Sequence, residues 1–181
     1  ALRCCRISVS SNYRFYDMVT CNDVYQWIKM PGAKVLPCHS SQLRLMSLHP
    51  SAKQNIETLP GYYERIDALG EHGMGWTVLF NGRFLAMFGV ALQWQGMAEA
   101  WLMVDTKAIH QYKIRLTKGA RYFFDHIGPA FDLRRCQIMV SVAHEEAVSW
   151  AKLLRFEHEA TLKQYGPDGK DHLVYARFYR D

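Results

Sequence analysis

HEEAVSWAKLLRFEHEA, residues 144–160, reads as a helix that turns into a strand with almost no loop. Ala147, Val148, Ala151 and Leu154 recur at helical spacing. From Phe156 onward apolar and polar residues roughly alternate, as in a strand. The helix stops at Leu-Arg-Phe with neither Gly nor Pro to stop it. The reason for the break has to come from the surrounding fold.

Working outward, CQIMVSV before this stretch has the composition of a buried strand. After it, Gly166-Pro167-Asp168-Gly169 is turn chemistry, and HLVYARFY closes the chain as a strand. Upstream, Ile109, Tyr112, Leu116, Ala120, Phe123 and Ile127 lie three or four apart and make one apolar face of a long helix, with Gly128-Pro129 as its expected stop. Before that helix come WTVLF, the hairpin signal Asn81-Gly82, RFLAMFGVALQW, a turn at Gln95-Gly96 and AEAWLMV. Three antiparallel strands are expected there, and a long helix between strands implies a crossover with a parallel pairing.

Residues 41–72 read as helical. Ser51 is the expected cap of AKQNIETL, and Gly70 the expected end of YYERIDALG. Residues 1–40 read as an N-terminal extension or embellishment. It holds an alternating RISVS, a helix over NDVYQWIKM capped by Asn22 or Asp23, a Pro31-Gly32 turn and a short strand AKVLP. Its aromatics Tyr13, Phe15 and Tyr16 suit an interaction arm, or the segment covers a sheet edge. The fold class is α/β: a mixed sheet of six or seven strands, antiparallel at first, with a central parallel crossover and helices on both faces.

The bulk composition narrows the field. At 181 residues the chain is long enough for one domain with a real core. No window suits a membrane-spanning helix, and no basic-then-apolar leader precedes the first strand, so export through a signal peptide is not expected. Five cysteines, with no Cys-x-x-Cys pair, point to buried or free thiols in a reducing compartment rather than to a metal site. The net charge is +5, and Lys107, Lys113, Arg115, Lys118 and Arg121 occur with no acid between them. Residues 107–121 are either the solvated face of a helix or a surface for weak nucleic-acid contact.

Over residues 41–181 the order of elements resembles the GNAT (GCN5-related N-acetyltransferase) superfamily. Three stretches carry the resemblance: the hairpin GWTVLFNGRFLAMFGVAL, the strand EAWLMV with the long helix after it, and residues 144–160. GNAT proteins often carry Asn-x-x-Ala-x-x-x-Tyr-x-x-x-Gly-Phe in that last place. Counting back from Phe156 puts Ala147 on the Ala of that pattern. In such a fold the helix ends so that the chain can enter the sixth strand with Phe156 packed on the sheet. A narrower resemblance, through FLAMFGV, AWLMVDTKAIH and AVSWAKLLRFEHEA, is to the GNAT-like proteins of tailed bacteriophages, including small internal virion proteins.

The resemblance also shows what is absent. Active GNAT proteins hold the acetyl-CoA pyrophosphate on a Gln/Arg-x-x-Gly-x-Gly/Ala turn at the start of the central helix. Aligned from Val104, Tyr112 and Ile114 stand at the glycine positions. A shifted site would use Thr106, Lys107, Ile109, His110 and Lys113 as cofactor contacts; otherwise Asp105 or Thr106 simply caps the helix. The usual Tyr acid falls on Ala151, the usual Asn on His144 and the Gly on Arg155. Glu99 lies near where some GNAT enzymes place a general base, and His144 is the remaining candidate acid.

The expected function is therefore a GNAT-fold protein with a degenerate acetyl-CoA motif, of phage structural or assembly type. Its partners would be other proteins in a virion or assembly, as an oligomer or not, with no membrane. Its location would be a virion or a bacterial host's cytoplasm. The alternative is an acetyl-CoA-dependent N-acetyltransferase in which an amine attacks the thioester directly.

Overall fold

The computed structural model describes residues 19–179. The RISVS strand, the three early aromatics and Cys4 and Cys5 lie outside the described residues. Seven strands form one sheet: β1 (Ala33–Pro37), β2 (Gly75–Phe80), β3 (Arg83–Trp94), β4 (Met97–Val104), β5 (Arg135–Ser141), β6 (Glu157–Leu162) and β7 (His172–Phe178). Their order is β1-β2-β3-β4-β5-β7-β6. Every neighbouring pair is antiparallel except β4 and β5, which run parallel. The 25-residue helix α5 (Thr106–Ala130) makes the crossover between them.

The hairpin from β2 to β3 turns at Asn81 and Gly82, both at positive φ (48° and 74°), as an Asn-Gly turn requires. A register shift between Val78 and Leu79 bends this pair. The helices divide over the two faces. On one face α1 (Cys21–Ile28), α5 and α6 (Glu145–Leu153) cover a core built around Trp76, Leu85, Phe123, Ile127, Cys136 and Phe156. On the other, α2 (Ser40–Leu43), α3 (Pro50–Thr58) and α4 (Tyr62–Glu71) cover Cys38, Leu43, Ile66, Met87 and Met103. Each fully buried large side chain contributes on the order of 1.5–3 kcal/mol. Both buried thiols, Cys38 and Cys136, are pushed up to about 12, mainly because burial disfavours the thiolate.

Within residues 1–40, β1 pairs with β2 along its whole length, and α1 packs on α5. This part of the extension is a strand and a helix of the same sheet and core.

Several expected helix ends fall elsewhere. Thr20, not Asn22 or Asp23, caps α1: its hydroxyl accepts from the Asp23 amide at 3.1 Å while Asp23 reaches back to the Thr20 amide at 2.8 Å. His49, not Ser51, caps α3, with Pro50 at the first helical position. Gly70 does not end α4. A Cβ there would lie 2.0 Å from the Cys38 carbonyl oxygen, so this glycine permits close approach of two backbones. Gly128-Pro129 does not stop α5 either, which continues to Ala130. A Cβ on Gly128 would stand 2.1 Å from the Tyr179 ring, so that glycine too is fixed by packing.

The break at Leu-Arg-Phe is a Schellman motif. The Arg155 amide donates to the Lys152 carbonyl at 3.0 Å and the Phe156 amide to the Ala151 carbonyl at 3.1 Å. This geometry requires a left-handed residue after the cap, and Arg155 supplies it at φ +66° where glycine is usual. Ala151 and Phe156, at 1% and 3% exposure, anchor the two sides of the break in the core. An arginine in the left-handed region costs on the order of 1 kcal/mol. Arg155→Gly is therefore expected to raise stability by about 0.5–1 kcal/mol, less what glycine adds to unfolded-chain entropy, in urea denaturation. Arg155→Ala, which keeps the strain, should show no such gain; equal stability of the two variants would mean the strain is absent.

Candidate active site

The parallel pair β4–β5 is short. Met97, Ala98 and Glu99 pair with Arg135, Cys136 and Gln137, and no pair follows. β4 continues to Val104, held by β3 on its other side, and β5 continues to Ser141, held by β7. The two strands are therefore unpaired with each other beyond Glu99 and Gln137, which stand at the apex of the cleft between their free edges. The starts of α5 and α6 stand at its mouth. From Gln137 to Ser141 the strand rises about 13 Å.

Glu99 is half-buried at the apex. Burial raises its carboxyl above the ordinary range, and a hydrogen bond from Gln137 Nε2 to Oε2 at 3.4 Å partly opposes that. The Gln137 amide is itself oriented, because Arg135 Nη2 donates to its Oε1 at 3.1 Å. That leaves its NH₂ to face Glu99. Arg135 is tied in turn to Glu159, through Nη1 to Oε1 at 2.7 Å and through a second bond between Nη2 and Oε2. Gln137 and Arg135 carry no motif in the sequence; only strand register brings them beside Glu99.

His144 is at the mouth, not the apex. It occupies the N-cap position of α6 without making a side-chain cap. Its ring stacks on His49, with centroids 4.1 Å apart and planes 8° from parallel. Burial and then the neighbouring His49 hold its pKa below the ordinary histidine range, while Glu146 acts in the other direction. Glu99 and His144 thus stand at opposite ends of the cleft and do not form one acid–base pair. Ala151, on the GNAT tyrosine position, is packed in the core.

The predicted cofactor contacts gather at the start of α5. Asp105 caps the helix: its Oδ1 accepts from the Lys107 and Ala108 amides, both at 2.9 Å. The Asp105 amide donates to the Leu85 carbonyl at 2.9 Å, and the Thr106 amide to the Ser47 carbonyl at 2.7 Å. Thr106 Oγ1 also donates to that carbonyl, at 2.8 Å. The Ile109 amide makes the first helical bond, to Asp105 O at 3.0 Å. Lys107, His110 and Lys113 are exposed, and Ile109 is half-buried. On the same helix Lys118 is exposed, and Arg115 lies over the Phe80 ring, 5.7 Å from its centroid.

Acetyl-CoA is the cofactor that this fold implies. The parted strands fit an extended acyl arm, because their facing edges are not paired with each other beyond Glu99. The start of α5 does not fit a pyrophosphate in this arrangement. Every amide from 105 to 109 has a partner within the chain, and a carboxylate already sits among them. Among the described residues no cluster of three or more His, Cys, Asp or Glu suits a metal ion, and no helix is long and apolar enough to cross a membrane.

Comparison with solved structures places this architecture. A GNAT-family acetyltransferase from Bacillus anthracis superposes with a TM-score of 0.60 at 11% identity, over 81% of this chain and 95% of that one. The ribosomal-protein-S5-alanine acetyltransferase from Vibrio fischeri gives 0.61 at 16% identity, over 84% and 96%. The microcin C7 self-immunity acetyltransferase MccE, in complex with acetyl-CoA and AMP, gives 0.60 at 13%, over 87% and 95%. No protein-family model matches the chain, and no curated protein matches it. The chain has the GNAT fold: a seven-stranded mixed sheet with its parallel crossover between β4 and β5.

The raised carboxyl of Glu99 makes a stability prediction. A group whose folded pKa lies above its unfolded value, about 4.3 for Glu, stabilises fully below that value. The contribution is lost as pH rises through the folded pKa. Glu99→Gln removes the ionisation, so its melting temperature relative to wild type should be higher at pH 7 than at pH 4. A pH-independent difference would mean that Glu99 titrates normally.

Proposed function

We propose that this chain is an N-acyltransferase of the GNAT fold that works on an amine at the apex of the β4–β5 cleft. One observation carries the reading: the strands part directly after Glu99, whose half-buried carboxylate is held by an oriented Gln137. The likeness of the fold to acetyltransferases, one of them with acetyl-CoA bound, supports it. Acetyl-CoA, when bound, supplies an acyl thioester. Glu99 takes a proton from the substrate ammonium, directly or through a water, and leaves a neutral amine as nucleophile. A carboxyl raised by burial is a better base than an exposed one, because its proton affinity lies closer to that of the amine. Attack of that amine on the thioester carbonyl would break the C–S bond and expel the CoA thiolate, which takes the proton the acylated nitrogen loses, and the gap between the strand edges would hold the donor beside Glu99.

A second reading is a GNAT-fold protein without acetyltransferase activity, a structural or assembly protein of the kind found in tailed phages. It would act through protein partners, with weak nucleic-acid contact through residues 107–121. Asp105 favours it, since its carboxylate fills the amides on which the acetyl-CoA pyrophosphate rests in active GNAT proteins. Thermal unfolding with and without millimolar acetyl-CoA separates the two. A ligand at a hundred times its dissociation constant stabilises by about 2.7 kcal/mol, several degrees for a domain of this size. The enzyme reading expects that shift, together with acetylation in an amine screen that Glu99→Gln lowers at least about a hundredfold. No shift and no acetylation would replace it with the second reading.

A further inference from the structure

Residues 44–49 cross the mouth of the cleft, between α2 and α3. Met46 and Leu48 are buried in the core of the α2–α4 face, at 7% and 8% exposure. The alternate residues, Ser47 and His49, reach the other way. Ser47 ties the segment to the start of α5: its amide donates to Asp105 Oδ2 at 2.8 Å, and its carbonyl accepts from Thr106. His49 ties it to the start of α6 through the ring stack on His144. The two contacts thus join the α2–α4 layer to both helices that flank the mouth. α3, which begins at this point, contains no buried residue. Ala52 and Ile56 pack on that core half-buried, and an element held by half-buried side chains opens at lower free energy than one anchored by fully buried ones.

We propose that the Ser47–Asp105 and His49–His144 contacts form a pH-sensitive latch that holds α3 and the preceding segment closed over the mouth of the β4–β5 cleft, and that mild acid releases it. Charging His144 places a proton against the ring of His49. Two positive charges at this separation repel, and partial burial leaves little solvent to screen them. The burial that depresses His144 has the same sense: its neutral form is the one that the closed state favours. The sign follows. A histidine depressed in the closed state contributes its full stabilisation above the ordinary value of about 6.5, and that contribution declines as pH falls below it. The neighbouring charges do not remove the effect. Glu146, on the first turn of α6, favours the charged His144, but burial and His49 come first. Glu145 lies beside it, Lys53 stands one turn along α3 from His49, and Asp105 is engaged by the Lys107, Ala108 and Ser47 amides. Of the amides at the start of α5 the latch engages that of Thr106, through the Ser47 carbonyl; those of Lys107 and Ala108 stay with Asp105. The proposal does not depend on acyl transfer; it concerns which residues move and at what pH.

Amide hydrogen exchange on the intact chain tests it, followed at Ser47 and Thr106, whose N–H groups make the latch bonds. After correction for intrinsic rates, both should exchange about tenfold faster at pH 5.5 than at pH 7.5. The core amides of β4 and of α5 around Ile127 should keep their protection. His144→Phe keeps an aromatic face against His49 and removes the second proton site, so it should abolish the acceleration. Equal protection at both pH values would overturn the proposal, as would an acceleration that persists in His144→Phe. A loss of protection shared equally by the core would also overturn it, because the opening would then be global. If His144→Phe proves unstable, His144→Gln is followed in the same way, with the same loss of acceleration expected.

Discussion

Three residue pairs hold the two halves of the sheet together. On one side β1 to β4 pair antiparallel in chain order; on the other, β5, β7 and β6 pair antiparallel in that order. Met97, Ala98 and Glu99 pair across the join in parallel register, beside the Gly96 carbonyl that accepts from the Arg134 and Arg135 amides. A parallel join cannot be made by a tight turn, so the chain must leave the sheet and return, and α5 is that return path. Its buried residues Phe123, Ile127 and Gly128 fasten it to the sheet, while its start is left at the cleft mouth. The cleft, the buried carboxylate and the positions of both helix starts all follow from how early that pairing ends.

The polar groups of the cleft are arranged along its length. At the apex, burial raises the Glu99 carboxyl above its ordinary range, and the Arg135–Gln137 chain fixes which amide group faces it. At the mouth, charge is neutralised locally, with Asp105 taking two helix amides and one from Ser47. α5 and α6 are further joined by Trp150, whose Nε1 donates to Thr117 Oγ1 at 2.9 Å. The apex therefore holds the chemistry that an amine would need, and the mouth holds contacts that close the molecule on itself.

Much of the architecture could be read from local signals. Asn81-Gly82 sets its hairpin with two backbone angles that few other pairs adopt, and the apolar face from Ile109 to Ile127 needs only its own spacing. Residues 144–160 were legible for the same reason: the change of period from helix to strand lies within one stretch. What was not legible rests on contacts distant in sequence. Ser47 and Asp105 are separated by 58 residues, and Gln137 and Glu99 by 38. Gly70 and Gly128 look like helix stops but are shaped by a carbonyl and an aromatic ring from elsewhere in the chain. Ser51 reads as the cap of α3 where His49 takes that place, and nothing in the sequence links that histidine to His144.

Cys38 and Cys136 lie in different cores, on opposite faces of the sheet. Cys38 donates its thiol proton to the Ile66 carbonyl at 3.1 Å, and both thiols are held in the unreactive protonated form. An alkylating reagent can reach either one only when its own layer has opened. The chain therefore carries a separate chemical clock for each face. The rates at which the two cysteines are labelled report whether the α2–α4 layer detaches from the sheet alone, or whether the molecule gives way as one unit.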